Sequence, residues 1–387
     1  MTTNETAFNG ERLKAARLYH GLTISEVAEK VGISKQAISQ FEKRNGSSEP
    51  KLETMFKLCN VLGFPREYFF QETDGIAAGD TYFRSLSTTT NRERSAQKER
   101  VKLLAAVYLG IEEFIKFPEL KLLAINEELS INVETLAKEV RKNWNLGSKP
   151  IPNIIDVMEQ NGIVVNSAAL NSHNIDAFSQ IIRIGDRPVA IVILGDDKES
   201  AFRRNFNAAH ELGHLLLDDF YNVSELSKLE YHEMENTMNY FAGALLIPPE
   251  TYRADLQTKS ITDLNLYIRL KQKYHVSAAA LIVRAKQIEA ISYAQYQYLM
   301  KQLSSHGYRM QEPLDKETPL VKPRYLKAAM RMIIEEDSVQ SKEFLDAITD
   351  NGTTLTTDIV ESILNLPEGY LSMNDQAGDI INLKRNQ

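Results

Sequence analysis

Cysteine is almost absent: Cys59 is the single one in 387 residues. That excludes an intrachain disulfide framework and any metal site built on several thiolates. Cys59 stands in the run Met55-Phe56-Lys57-Leu58-Cys59, where a small core residue is expected rather than a nucleophile. Long apolar runs are also missing, and no window approaches the roughly 18 unbroken apolar residues of a membrane span. The opening Met1-Thr2-Thr3-Asn4-Glu5 has neither the basic start nor the apolar stretch of a signal peptide. A cytoplasmic protein with no membrane partner is therefore expected. Net positive charge is lacking too, because 45 Lys and Arg against 52 Asp and Glu give −7. Such a balance argues against affinity of the whole molecule for nucleic acid, but steering depends on where the charge lies. Residues 1–70 run against the trend, with ten Lys and Arg against eight Asp and Glu. No internal repeat or low-complexity segment stands out.

What is present is an ordinary globular composition, 43% hydrophobic and 25% charged, in a chain long enough for two or three domains. Residues 9–70 read as five short helices with clean punctuation. The first runs Glu11 to His20 and is closed by Gly21. Thr23-Ile24-Ser25-Glu26 opens the second as a capping box, with Leu22 and Val27 placed as a hydrophobic staple. After the turn Gly32-Ile33-Ser34, a third helix runs Lys35 to Lys43 with Ser34 as its N-cap. A fourth starts near Pro50 and continues to Leu62-Gly63, and a short fifth follows Pro65.

The second and third helices have helix-turn-helix proportions, with Ala28, Ile33 and Ile38 where the two must pack. Lys35, Gln36, Ser39 and Gln40 then fall on the open face. Lys and Gln at a helix N-terminus suit guanine and adenine edges in the major groove, and Lys43 and Arg44 are placed for phosphates. Double-stranded operator DNA is the expected partner, and two half-sites would favour a homodimer. The bland alternative is a small helical interaction domain with a solvated face.

Beyond residue 70 the character changes. Gly75-Ile76-Ala77-Ala78-Gly79 and Ser85-Leu86-Ser87-Thr88-Thr89-Thr90 suggest a linker, followed by a charged helix from Arg92 to Phe117. Residues 131–170 look mostly helical. Strand signals cluster at Ile163–Asn166, Gln180–Ile184 and Val189–Leu194, the last two joined by Gly185-Asp186-Arg187-Pro188 as a hairpin. Helices dominate from there on. The fold expected is mainly α with a small β-sheet (α+β): a helix-turn-helix domain over 1–72, linker and charged helix over 73–120, a metal-binding domain over 121–292 and a helical region over 293–387.

Histidine is scarce, seven in all, and two of them stand in His210-Glu211-Leu212-Gly213-His214 inside a helix predicted over Glu199 to Leu217. Positions four apart face the same way on a helix, so both imidazoles can bind one Zn²⁺. Glu211 is beside the first ligand and can reach a water on the metal, the place of a general base in peptide hydrolysis. By chance such a motif would arise in a chain like this with a probability of order 1%.

Two histidines leave a zinc site one protein ligand short. Glu235, on the following helix predicted over Glu230 to Leu246, is the first candidate, and His232 on that helix is the other. Asn239 lies one turn beyond Glu235, placed to accept from a ligating imidazole N–H. His173 and His232 are candidates for oxyanion stabilisation. The extended pair before the helix would let a peptide add as a further strand.

Residues 10–70 resemble the lambda-repressor-like helix-turn-helix family, through Thr23-x-x-Glu26-Val27-Ala28, Gly32-Ile33-Ser34, Ile38-Ser39 and Glu42. Ile24 stands where many members carry a Gln that touches the DNA backbone. Residues 130–290 are similar to the ImmA/IrrE metallopeptidases, through Trp144-x-Leu146-Gly147, Pro150-Ile151, Arg203-Arg204-x-Phe206, Asn239-Tyr240-Phe241-Ala242 and Leu245-Leu246-Ile247-Pro248; Tyr82–Leu86 extends the likeness into the linker. Thr237-Met238 replaces a frequent Glu-Ala. The resemblance implies a gluzincin-like zinc fold and a regulatory endopeptidase that cuts a repressor with its own helix-turn-helix domain. Three functions stand: a peptidase-competent regulator, a non-proteolytic transcription factor whose zinc domain is a sensor or interaction module, and an assembly module.

Overall fold

The structure is a computed structural model and describes residues 7–43, 48–72, 76–77, 90–168, 176–196, 200–221, 225–257, 260–336 and 339–372. Four helices open it: α1 (Gly10–Tyr19), α2 (Ile24–Val31), α3 (Lys35–Phe41) and α4 (Leu52–Leu62), followed by a 3₁₀ turn, Arg66–Phe70. Their starts obey the local rules. Thr23 accepts from the Glu26 N–H while the Glu26 carboxylate accepts from the Thr23 N–H, and Ser34 accepts from the Ala37 N–H. Gly32 ends α2 at φ 77°, a left-handed conformation that glycine adopts without strain.

Next come β1 (Ile76–Ala77) and α5 (Asn91–Glu112). The charged helix thus ends short of the predicted Phe117. Phe117 instead turns back on Tyr108 with ring centroids 4.9 Å apart. The chain beyond it is tied by a hydrogen bond from the Lys121 N–H to the Asn161 carbonyl. It also passes so close to Gly162 that a Cβ there would collide with the backbone of Glu119 and Leu120.

After α6 (Glu127–Ile131), α7 (Val133–Asn143) and α8 (Ile154–Gln160) come β2 (Val164–Ala168), β3 (Ala177–Ile184) and β4 (Arg187–Gly195). Among the described residues they form one sheet in the order β1-β3-β4-β2, with β2 parallel to β4 and the other pairs antiparallel. The hairpin turn is tighter than expected. Gly185, at φ 59°, and Asp186 make it alone, and Pro188 already pairs with Arg183 within the ladder.

Among the described residues nine further α-helices follow: α9 (Ala201–Leu216), α10 (Lys228–Leu246), α11 (Pro249–Asp255), α12 (Leu264–Tyr274), α13 (Ala278–Gln287), α14 (Tyr293–Ser305), α15 (Tyr325–Arg331), α16 (Ser341–Asp350) and α17 (Thr357–Leu364).

Alternation along the strands divides the interior in two. Val165, Ala177, Ala190, Val192 and Leu194 face α7–α10 and the helices up to α14. Val164, Phe178, Ile182, Val189, Ile191 and Ile193 face a second core. That core takes in α5, the helices after residue 325 and the interior of the first four helices, Leu13, Val27, Ile38 and Leu58 among them. Polar contacts reinforce the join: Arg12 Nη2 donates to the Gly352 carbonyl at 3.0 Å, the Thr354 N–H to Gln71 Oε1 at 2.9 Å and Thr356 Oγ1 to the Gly63 carbonyl at 3.0 Å. No helix of the described residues is long and apolar enough to cross a membrane.

Candidate metal centre and DNA-facing helix

The metal-site chemistry rests on where α9 is held. Ser200 caps it, accepting from the Arg203 N–H. Arg204, 5% exposed, donates to the Gly195 carbonyl at 2.5 Å and to Ser167 Oγ, and pairs with Asp196 at 3.2 Å. Asn205 accepts from the Ile154 N–H at 2.9 Å. Both α9 residues therefore fix the helix against the ends of the sheet and against α8. On its other side α10 crosses closely. A Cβ on Gly213 would stand 3.0 Å from Met238 Sδ and 3.0 Å from a ring carbon of Phe241, so the glycine of the motif sets the approach of the two helices.

That approach brings His210, His214 and Glu235 together. The two Nε2 atoms are 3.1 Å apart, His210 Nε2 is 3.3 Å from Glu235 Oε2, and His214 Nε2 is 3.4 Å from Glu235 Oε1. Donor atoms bound at about 2.0–2.2 Å around a tetrahedral zinc stand about 3.3–3.6 Å from one another. Two neutral imidazoles and a carboxylate are also a donor set zinc takes. Glu235 Oε1 is buried with no hydrogen bond of its own. The residues therefore fit the ion.

Electrostatics follow from the same contacts. Burial pushes the Glu235 carboxyl up, but the two imidazoles outweigh it and hold the group well below the usual carboxylate range. Burial pulls His210 down, and Glu235, Glu211 and Asn239 together turn the shift upward.

Asn239 is where the sequence placed it, its Oδ1 3.1 Å from His210 Nδ1. His214 Nδ1, by contrast, is buried without a hydrogen-bond partner. His232 is exposed and outside the ligand cluster. His173 lies outside the described residues.

Glu211 is 3% exposed, and Ser179 Oγ donates to its Oε2 at 2.7 Å. Sequence reasoning missed Ser179. Only the alternation of β3 marks it, since residues of one parity face α9 and a serine among them is unremarkable until the strand is docked. β3 is also the strand at the rim. Among the described residues β1 pairs with it only at Ile184 and Arg183, so Ala177–Ile182 present an edge beside Glu211.

On α3, Ile38 is fully buried while Lys35, Gln36, Ser39 and Gln40 are exposed, as is Lys43 just beyond the helix. Arg44 lies outside the described residues. The helix is anchored from behind: the Arg17 guanidinium bonds both carboxylate oxygens of Glu42, and both side chains are buried. A Cβ on Gly10 would strike the Phe41 carbonyl, so α1 and the end of α3 meet backbone to side-chain-free backbone.

Known proteins match two parts of this chain. The helix-turn-helix family matches residues 13–69, and the IrrE N-terminal-like domain family matches residues 158–286. An SPbeta prophage-derived uncharacterized HTH-type transcriptional regulator of Bacillus subtilis is 36% identical over 64 residues, 16% of this chain and 57% of the relative. An uncharacterized HTH-type transcriptional regulator of Methanocaldococcus jannaschii is 37% identical over 59 residues, 15% of this chain and 86% of the relative. The chain thus spans little more than half of the first relative, and both likenesses lie in a segment of helix-turn-helix length.

Proposed function

We propose that this chain, which belongs to the helix-turn-helix regulators through its first domain and carries an IrrE N-terminal-like domain, is a cytoplasmic DNA-binding transcriptional regulator and a zinc-dependent endopeptidase that cleaves a partner repressor. The observation that carries the reading is the convergence of His210, His214 and Glu235 beside a buried Glu211. His210, His214 and Glu235 would hold Zn²⁺, which when bound acidifies a water and polarises a peptide carbonyl.

The chain's own residues do the rest. Glu211 is not in the ligand cluster and takes a proton on its carboxylate as the carbonyl is attacked, then returns it to the leaving amine. Ser179 Oγ, 2.7 Å from Glu211 Oε2, holds that carboxylate in place. Asn239 orients the His210 ring through Nδ1. The edge of β3 offers backbone N–H and C=O groups to an extended substrate, which adds as a strand.

At the other end of the chain Lys35, Gln36, Ser39 and Gln40 read base edges, and Lys43 and Arg44 meet phosphates. A homodimer matches a two-half-site operator. The domains are proposed as 1–72, 73–120, 121–292 and 293–387.

The test compares wild type with Glu211→Gln, both loaded with zinc, against helix-turn-helix proteins encoded beside this gene. Cleavage by wild type and none by the variant is expected. Equal cleavage by both removes Glu211 as the base. Cleavage by neither, with transcription still responding to the wild-type protein, leaves the non-proteolytic sensor.

A further inference from the structure

A cavity of about 1060 Å³ opens at the hairpin end of the sheet, away from any residue assigned above. Its walls are the C-terminal part of α5, the irregular stretch 115–122 and Asp218-Asp219 just past α9. β3 lines it from both faces, with Gln180 on the side of α5 and Ile181 on the side of the metal cluster. The cavity therefore straddles the strand whose edge passes Glu211.

Gln180 is the unusual lining residue. It is 4% exposed, and neither its amide nitrogen nor its amide oxygen has a hydrogen-bond partner. A fold rarely leaves both ends of a carboxamide unsatisfied. A carboxamide presents a donor and an acceptor side by side, and an extended peptide backbone offers the matching acceptor and donor. The rest of the lining agrees with such a ligand. Apolar Phe117, Leu120 and Val189 are joined by charges of both signs, Arg183 and Glu119 among them. Asp218 and Asp219 disfavour an anion, and a wholly apolar ligand would strand the charged groups.

The cavity is also placed for a peptide that reaches the metal cluster. A strand added along Ala177–Ile182 has to leave the edge where β1 already pairs, at Arg183 and Ile184, and the cavity lies at that point. Added antiparallel, as β1 is, the peptide leaves its N-terminal flank there.

We infer that this cavity is an exosite for an extended peptide, with the Gln180 carboxamide bonding the backbone of the substrate's N-terminal flank. The inference rests on the peptidase reading only in taking the peptide to be substrate.

The test uses the full zinc-loaded chain with Glu211→Gln. A displayed library of random peptides of about twelve residues is panned on it, since extended peptides bind through backbone bonds with side-chain pockets. Fluorescence anisotropy then measures the selected peptides on that protein and on versions that add Gln180→Leu or Pro188→Trp, the second at an exposed position of the lining. The expected result is binding weakened about tenfold or more by each addition, as for loss of a buried hydrogen-bond partner or of the space itself. Peptides that bind all three proteins equally overturn the inference, as does a library that yields no binder. If the selected peptides depend on Gln180 but wild type does not cut them, the exosite stands as a peptide site and the peptidase reading falls.

Discussion

Zinc acting as a ligand of the folded state gives the sharpest prediction. The three donor pairs stand 3.1, 3.3 and 3.4 Å apart, so the site needs little rearrangement to close on the ion. A ligand that binds only the folded chain stabilises it by about 2.7 kcal/mol when free ligand is a hundredfold above Kd. For a cooperative unit of 150–250 residues each kcal/mol moves the midpoint by about 2–4 °C, so buffered zinc at that excess raises Tm by about 5–10 °C. His210→Ala removes one donor of the three, so whatever the truncation of this largely buried side chain does to the zinc-free Tm, the zinc-dependent rise collapses. Glu211→Gln keeps all three donors and keeps the rise. Differential scanning fluorimetry across a series of zinc buffers, with metal content by elemental analysis, reads all three proteins. A rise in His210→Ala equal to that of wild type refutes the ligand assignment, and so does wild type that gains neither metal nor stability.

Ser179→Ala removes the bond that orients Glu211, a charge-assisted contact worth about 1.5–3 kcal/mol. Cleavage should slow at least about tenfold in kcat with zinc content unchanged; a parallel loss of zinc would point to general damage. Lys35→Ala with Gln36→Ala should weaken operator binding at least about tenfold in a mobility-shift titration, and an unchanged titration removes this face of α3. Glu159 carries a pH dependence. Burial, against hydrogen bonds from the Arg324 and Tyr325 N–H groups, pushes its carboxyl up to about 7 from 4.5. A carboxyl raised on folding contributes its stability below the ordinary value and loses it as pH rises through 7. Wild type should therefore lose up to about 3 kcal/mol across that window, and Glu159→Gln should flatten the profile; identical pH–Tm curves for the two sink this assignment.

Local rules were legible because they act over a few residues. The capping box at Thr23 and Glu26, the Ser34 cap, the helical pairing of His210 with His214 and the place of Asn239 one turn past Glu235 all follow from spacing along one helix. Glu235 itself required a second helix to arrive on the right side, and it stands beside His210 and His214, with His232 outside the cluster, only because α10 crosses α9 at Gly213. The end of α5 was misplaced because nothing within Arg92–Phe117 stops a helix. Phe117 leaves it to pack on Tyr108, a contact between side chains that propensity does not contain.

By itself, then, the sequence determined most of the helical segments and placed the candidate metal ligands and the candidate DNA-facing side chains on one chain. Tertiary structure alone decided that Ser179 holds Glu211, that Gln180 stands unsatisfied beside a large cavity, and that the residues beyond 325 close the far face of the sheet over α5 and the first helices. The reason is physical. Caps and helical faces are fixed by bonds between near neighbours in sequence, whereas strand docking and helix crossing join residues far apart, whose meeting depends on the shape of everything packed between them.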